Sequence, residues 1–264
     1  MSNASSDPKT DKTELTKHFI VPWHPILGLV FIVATYYAAQ ITASIVLYLY
    51  ALLNHWTQVE AASKLNGSVT AQFVYILITE LLIVGAIYLF LRMYRLGFAS
   101  IGLKKFRLND LFYGLAAVPV YFILYLITVG LISHFVPGLD INQEQQLGFN
   151  NVHGLWPLAM TFVALVILPP LVEEIMVRGF LYSTLKKAMP TIGAVIATSA
   201  VFAAAHLPEG GAAGPLYIAA LDTFVLSLVL IYLREKTGSL WASITLHGFK
   251  NGIAFVALFV LHLN

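Results

Sequence analysis

An all-α bundle of membrane-spanning helices is the fold predicted for this 264-residue chain. Two compositional observations predict it. Hydrophobic residues make up 59% of the chain and charged residues 11%, against about a quarter charged in a soluble domain. Mean hydropathy is +0.80. A third observation is the grouping of the apolar residues into seven runs near the ~20 residues that an α-helix needs to cross the hydrocarbon.

The chain opens on a polar stretch of mixed charge, residues 1–22, expected to be a mobile cytoplasmic tail. Residues 23–264 are expected to form one integral membrane domain. The first apolar run lacks a small-residue cleavage site at its end and reads as a spanning helix, not a removable signal peptide. The seven spans are predicted at roughly 26–53, 70–91, 110–133, 155–185, 190–207, 215–233 and 239–262. No repeat of solenoid length is visible.

Lys and Arg set the orientation, because they favour cytoplasmic loops. Lys9, Lys12 and Lys17 lie in the tail, and Arg92, Arg95, Lys104, Lys105 and Arg107 follow span 2. Lys186 and Lys187 follow span 4, and Arg234 and Lys236 follow span 6. Only Lys64 lies in a loop of the opposite side. The N-terminus is therefore predicted cytoplasmic and the C-terminus external. The net charge of +2 is too small to indicate a nucleic-acid partner, and the lack of cysteine removes disulfides and thiol chemistry. The stretch Gly97 to Phe112, "GFASIGLKKFRLNDLF", alternates basic and apolar residues. It reads equally as a snorkelling loop or as an interfacial amphipathic helix.

Charges inside span 4 require an explanation. "LPPLVEEIMVRGFLY" holds Glu173, Glu174 and Arg178 within an apolar helix, where each charge costs about 2.5–3.5 kcal/mol at mid-bilayer. Glu174 and Arg178 are four apart on one face, acid before base. Glu173 points about 100° away and is left to face something else. Pro169 and Pro170 precede them and tend to break a helix. If the helix restarts there, both glutamates fall in its first turns, where the dipole favours anions. The plainer alternative is an internal ion pair that only fixes packing.

Two further polar sites raise the stakes. His206 ends span 5, one turn after Phe202; His247 and Asn251 share a face of span 7, with Lys250 beside them. A lone membrane histidine more often bonds a neighbouring helix. A free glutamate, two histidines and an asparagine on three long helices suit water activation and oxyanion stabilisation. At about 1.5 Å per residue, Glu173, His206 and His247 lie roughly 20, 24 and 16 Å from their basic ends. Asp222 in span 6 is placed to neutralise Lys250, whereas Glu80 in span 2 has no evident partner.

The order Glu173-Glu174-x-x-x-Arg178, Phe202-x-x-x-His206, His247-x-x-x-Asn251, each on its own span, resembles the CPBP family, the CAAX-protease and bacteriocin-processing (Abi) group that includes Ras-converting CAAX endopeptidases. The resembling core covers about 155–262. The resemblance implies intramembrane peptide-bond hydrolysis of a membrane protein or lipidated peptide within the bilayer. Glu173 would activate water, with His206 holding it. His247 and Asn251 would stabilise the oxyanion, with Glu174, Arg178 and Phe202 in support. Family members commonly have eight helices, which implies a split near Gly210 to Pro215 as the alternative to seven. No cofactor is expected as obligatory. If a metal is used it would be zinc on Glu173, His206 and His247, since three such donors suffice for a catalytic site.

The HExxH, GxGD and GxSxG signatures of other proteases are missing from the sequence. The rival function is a transporter or proton relay, since ionisable groups inside helices also build ion paths; no inverted repeat supports it. A catalytically silent immunity or scaffold protein of the same fold is the third reading.

Overall fold

The computed structural model describes residues 21–143, 145, 148–149 and 152–262. Residues 1–20, most of the stretch read as a tail, lie outside the described residues. So do Leu263 and Asn264.

The helices begin where capping chemistry allows. Helix α1 (Pro25–Leu53) starts on a proline, with the His24 side chain accepting from the Ile26 amide. A short helix, α2 (Gln58–Asn66), fills the loop after it and is fixed by a capping box between Thr57 and Glu60. Ser68 caps α3 (Val69–Met93). Then follow α4 (Leu108–Phe135), α5 (Leu155–Ala188), α6 (Thr191–Ala205), α7 (Tyr217–Thr237) and α8 (Trp241–Val260). Seven of the described helices, all but α2, are long and apolar enough to cross a membrane, α6 with its continuation to Gly211. No β-strand occurs among the described residues. The point where an eighth helix was the alternative is a 3-10 segment, Leu207–Ala213.

The basic stretch after α3 is not an amphipathic helix. It makes one 3-10 turn, Phe98–Ile101, and then reverses at Gly102. Gly102 has φ 105°, and a Cβ there would meet the Arg234 guanidinium at 2.6 Å, so only glycine fits. The segment is pinned to the α7–α8 connection. The Leu240 amide donates to the Gly102 carbonyl at 2.9 Å, and Trp241 Nε1 to the Lys104 carbonyl at 2.7 Å. Nearby, Lys186 pairs with Glu235 at 2.5 Å, and Lys187 Nζ donates to the Trp23 carbonyl at 2.8 Å. The loops after α3, α5 and α7 and the residues before α1 thus gather at one end of the bundle. The loops before α5 and after α6 meet at the other, where Gln145 Nε2 donates to Glu209 at 2.7 Å.

Two packed cores hold α5 and α8 in place. Around α5, Trp23 stacks on Phe180 with centroids 5.0 Å apart, and its Nε1 donates to Thr184 Oγ1 at 2.9 Å. Gly28 makes room for the indole, since a Cβ there would lie 2.8 Å from it. Tyr121, Leu226, Leu230 and Leu246 form a second core joining α4, α7 and α8. Gly114 lets α4 approach α8 closely, because a Cβ would lie 2.7 Å from the Ala242 carbonyl.

The grouping of basic loops at one end generates a topology prediction. A reporter fused after Asn264 is expected to be external, and one at the N-terminus cytoplasmic. A cytoplasmic C-terminal reporter would overturn this orientation.

Candidate active site

Helix α5 carries the site, and its irregularity follows from two prolines. A carbonyl in an α-helix is met by the amide four residues on. For Leu165 that residue is Pro169, and five residues on is Pro170; neither has an N–H. The helix does not break there, as the proline pair suggested. It widens to π-type pairing over Val163–Ile167 and again over Glu174–Leu181, and runs through. Glu173 and Glu174 are therefore in mid-helix, and no helix N-terminus supports them. The unmatched Leu165 carbonyl is satisfied from α8, where Asn251 Nδ2 donates to it at 3.0 Å. Gly248, one turn earlier, leaves 3.4 Å between its would-be Cβ and the Val166 carbonyl. The prolines thereby dictate where α8 sits against α5.

Glu174 and Arg178 are fully buried and joined by an Oε1–Nη1 contact of 3.0 Å. The same Oε1 meets His247 Nδ1 at 3.1 Å. A carboxylate only accepts, so Nδ1 carries the hydrogen and Nε2 is turned elsewhere. Nε2 lies 3.7 Å from Glu173 Oε2. Glu173 is 24% exposed, and its Oε2 has no hydrogen-bond partner among the described residues. The adjacent glutamates are thus split between a buried anchor and a cavity-facing carboxylate, as their 100° offset predicts.

His206 is fixed in the same manner. Its Nδ1 donates to the Phe202 carbonyl at 2.8 Å, since that carbonyl can only accept. Its Nε2 is 3.9 Å from Glu209 Oε1. Phe202 ties the group together. Arg178 lies over its ring at 4.2 Å from the centroid, His206 meets it edge-on at 4.6 Å, and His247 does so at 6.2 Å. An arginine over an aromatic face is stabilised by the ring quadrupole, which complements its single carboxylate partner.

Glu173, His206, His247 and Asn251 line one cavity of about 220 Å³. His206 reaches this cavity as the C-cap of α6. Lys250 and Asp222 also line the cavity and pair at 2.7 Å, as expected from their positions. Tyr121 from α4 donates to Asp222 as well. Glu209 and Gln145 in the cavity wall were not singled out from the sequence. A charge three residues after His206, in an otherwise apolar stretch, was the available signal for Glu209. Among the described residues no three His, Asp or Glu side chains converge as metal ligands. His247 Nε2 and Glu173 Oε2, two of the three donors considered for zinc, stand 3.7 Å apart.

The pairing of Glu174 sets an expectation. Glu174→Gln leaves the Arg178 guanidinium buried without a counter-charge, and breaking such a pair costs about 3–5 kcal/mol. Loss of folded protein, read by size-exclusion yield and thermal melting, is expected to dominate over any change in turnover per folded molecule.

Residues 155–253 match the family described as type II CAAX prenyl endopeptidase Rce1-like. Comparison with curated proteins and with solved structures finds no significant match. The family match supports a CAAX-type intramembrane protease in general. Together with the seven apolar helices, it makes the chain an integral multi-pass membrane protein.

Proposed function

Taking residues 155–253 as a Rce1-like type II CAAX prenyl endopeptidase domain, we propose that the chain is an intramembrane endopeptidase with Glu173 as its general base. It hydrolyses a peptide bond in a membrane-associated or lipidated substrate. The observation that carries this reading is the division of labour between neighbours. Glu174 is fully buried, with Oε1 bound to Arg178 and His247, while Glu173 faces the cavity with Oε2 unpaired.

The chemistry follows from which atoms are free. Glu173 takes a proton from water as the water oxygen attacks the scissile carbonyl carbon. His206 holds the same water through Nε2, because its Nδ1–H is given to Phe202. The carbonyl becomes a tetrahedral oxyanion. Asn251 has one amide hydrogen on Leu165 and offers the other to this oxygen. His247 lines the same cavity, its ring held by Glu174 at Nδ1. The C–N bond then breaks, and Glu173 returns its proton to the departing nitrogen. Glu174, Arg178 and Phe202 act through these groups and are positioning residues.

Single-turnover cleavage of a panel of membrane peptides, prenylated and unprenylated, tests the activity. Glu173→Gln keeps the shape and removes the base. A fall of about 10²–10⁴-fold in cleavage rate is expected, with folded yield nearly unchanged. Full activity in that variant would remove Glu173 from the role.

Metal dependence is a separate expectation. Zinc needs ligand bonds of about 2.0–2.2 Å, whereas a water held by hydrogen bonds of about 2.6–3.2 Å suits the looser set described above. Cleavage is expected to persist after dialysis against a chelator. Elemental analysis showing near one zinc per chain, with activity lost on chelation and restored by zinc, would overturn the metal-free mechanism.

A further inference from the structure

Three cavities adjoin one another from the catalytic residues to the outside of the bundle. The catalytic cavity shares Glu173, His206 and Glu209 with a second cavity of about 250 Å³ between α1, α3, α5 and α6. That second cavity adds Tyr36, Thr79 and Glu80. It shares Gln40 and Tyr75 with a third, a groove of about 450 Å³ running along α1. The groove is open on the side that faces lipid: Tyr37 is 60% exposed and Tyr48 is 51% exposed. Glu173 and His206 stand where the inner two cavities meet.

We propose that the α1–α3 groove is the lateral entrance through which an extended polypeptide segment passes from the bilayer to Glu173. The proposal rests on the peptidase reading above.

The lining decides which occupant fits. Tyr37, Gln40, Ser44 and Tyr48 are spaced three, four and four residues apart, so they form one polar stripe along α1, with Ile41 and Ile45 beside it in the groove. Deeper in, Tyr36, Tyr75, Thr79 and Glu80 continue the polar stripe among apolar neighbours such as Ile76, Ile83 and Met176. A hydrocarbon chain needs none of these groups. An extended peptide needs them, because its backbone N–H and C=O groups lose their helical partners and meet no water in lipid. Hydroxyl, amide and carboxyl groups along the path supply replacements. Glu80 strengthens the case. It is an ionisable group within a membrane span, with no pairing side chain among the described residues and no part in the hydrolysis. Such groups mark substrate or ion pathways by default. A segment threaded inward along this stripe passes Glu173 and His206 before entering the catalytic cavity, which places its backbone beside the base.

Photo-cross-linking in lipid bicelles tests the route. The photoreactive residue benzoylphenylalanine is placed at Tyr37, at Tyr75, at Ala254 in the catalytic cavity, and at Leu126 on the lipid face of α4, which is 65% exposed. Each is combined with Glu173→Gln, and the probe is the biotinylated panel peptide that the parent protein cleaves. Cross-links from positions 37, 75 and 254 to the peptide chain are expected, with none from position 126. In the active protein Ser44→Trp, which fills the groove, is expected to lower kcat/KM by about tenfold or more, while Leu126→Trp changes it by less than about twofold. Cross-links from position 254 alone, or links from positions 37 and 75 that map to a prenyl chain and not to the peptide, would overturn the entrance. A parent protein that cleaves no peptide of the panel would overturn the peptidase reading and the entrance together. Cleavage without cross-links from α1 would overturn the entrance alone.

Discussion

One carboxylate oxygen, Glu174 Oε1, organises the centre of this molecule. It receives Arg178 from its own helix and His247 from α8. Both Glu174 and Arg178 are wholly buried, in surroundings where an unpaired charge is far costlier than in water. Neither can turn away without stranding the other. That mutual constraint holds α8 to α5, fixes the imidazole of His247 by its Nδ1 hydrogen, and leaves Glu173 as the glutamate facing the cavity. Phe202 extends the constraint to α6, because its ring lies under the guanidinium and beside both histidines.

A second constraint comes from missing donors. Pro169 and Pro170 deprive the Leu165 carbonyl of a partner in either α or π pairing, and Asn251 supplies one. An unsatisfied carbonyl inside a membrane bundle is expensive, so this contact sets the height of α8 on α5. That contact takes one amide hydrogen of Asn251 for packing, and the other is the one proposed to meet the substrate oxyanion. π-Type turns recur at functional sites because they reorient side chains without ending a helix. Here one precedes the glutamates and the other begins at Glu174 itself.

Packing beyond the site serves to hold these contacts in register. Glycines at 28 and 114 permit close approaches of α1 and α4 that any side chain would block. The aromatic cluster around Trp23 anchors the basic end of α5, and the Tyr121–Asp222–Lys250 chain ties α4, α7 and α8 at the cavity wall. The loops at the basic end interlock mainly through backbone carbonyls, with Lys187 donating to Trp23 and Lys186 paired with Glu235.

Length and hydropathy determined the seven spans, because burial in lipid demands long apolar runs whatever the tertiary arrangement. Helical periodicity determined that Glu174, not Glu173, pairs with Arg178, since residues four apart share a face. The Lys250–Asp222 pair was legible because two opposite charges in adjacent spans have few other partners. Three features required the fold. The continuity of α5 through Pro169–Pro170 depends on a donor from a distant helix, which no local rule reports. The meeting of His247 with both glutamates depends on the approach of α8 to α5. The inclusion of Glu209 and Glu80 in cavities shared with Glu173 depends on how α3 and α6 lean against α5. Local sequence sets which face a side chain takes on its helix; only the packing of helices decides what that face meets.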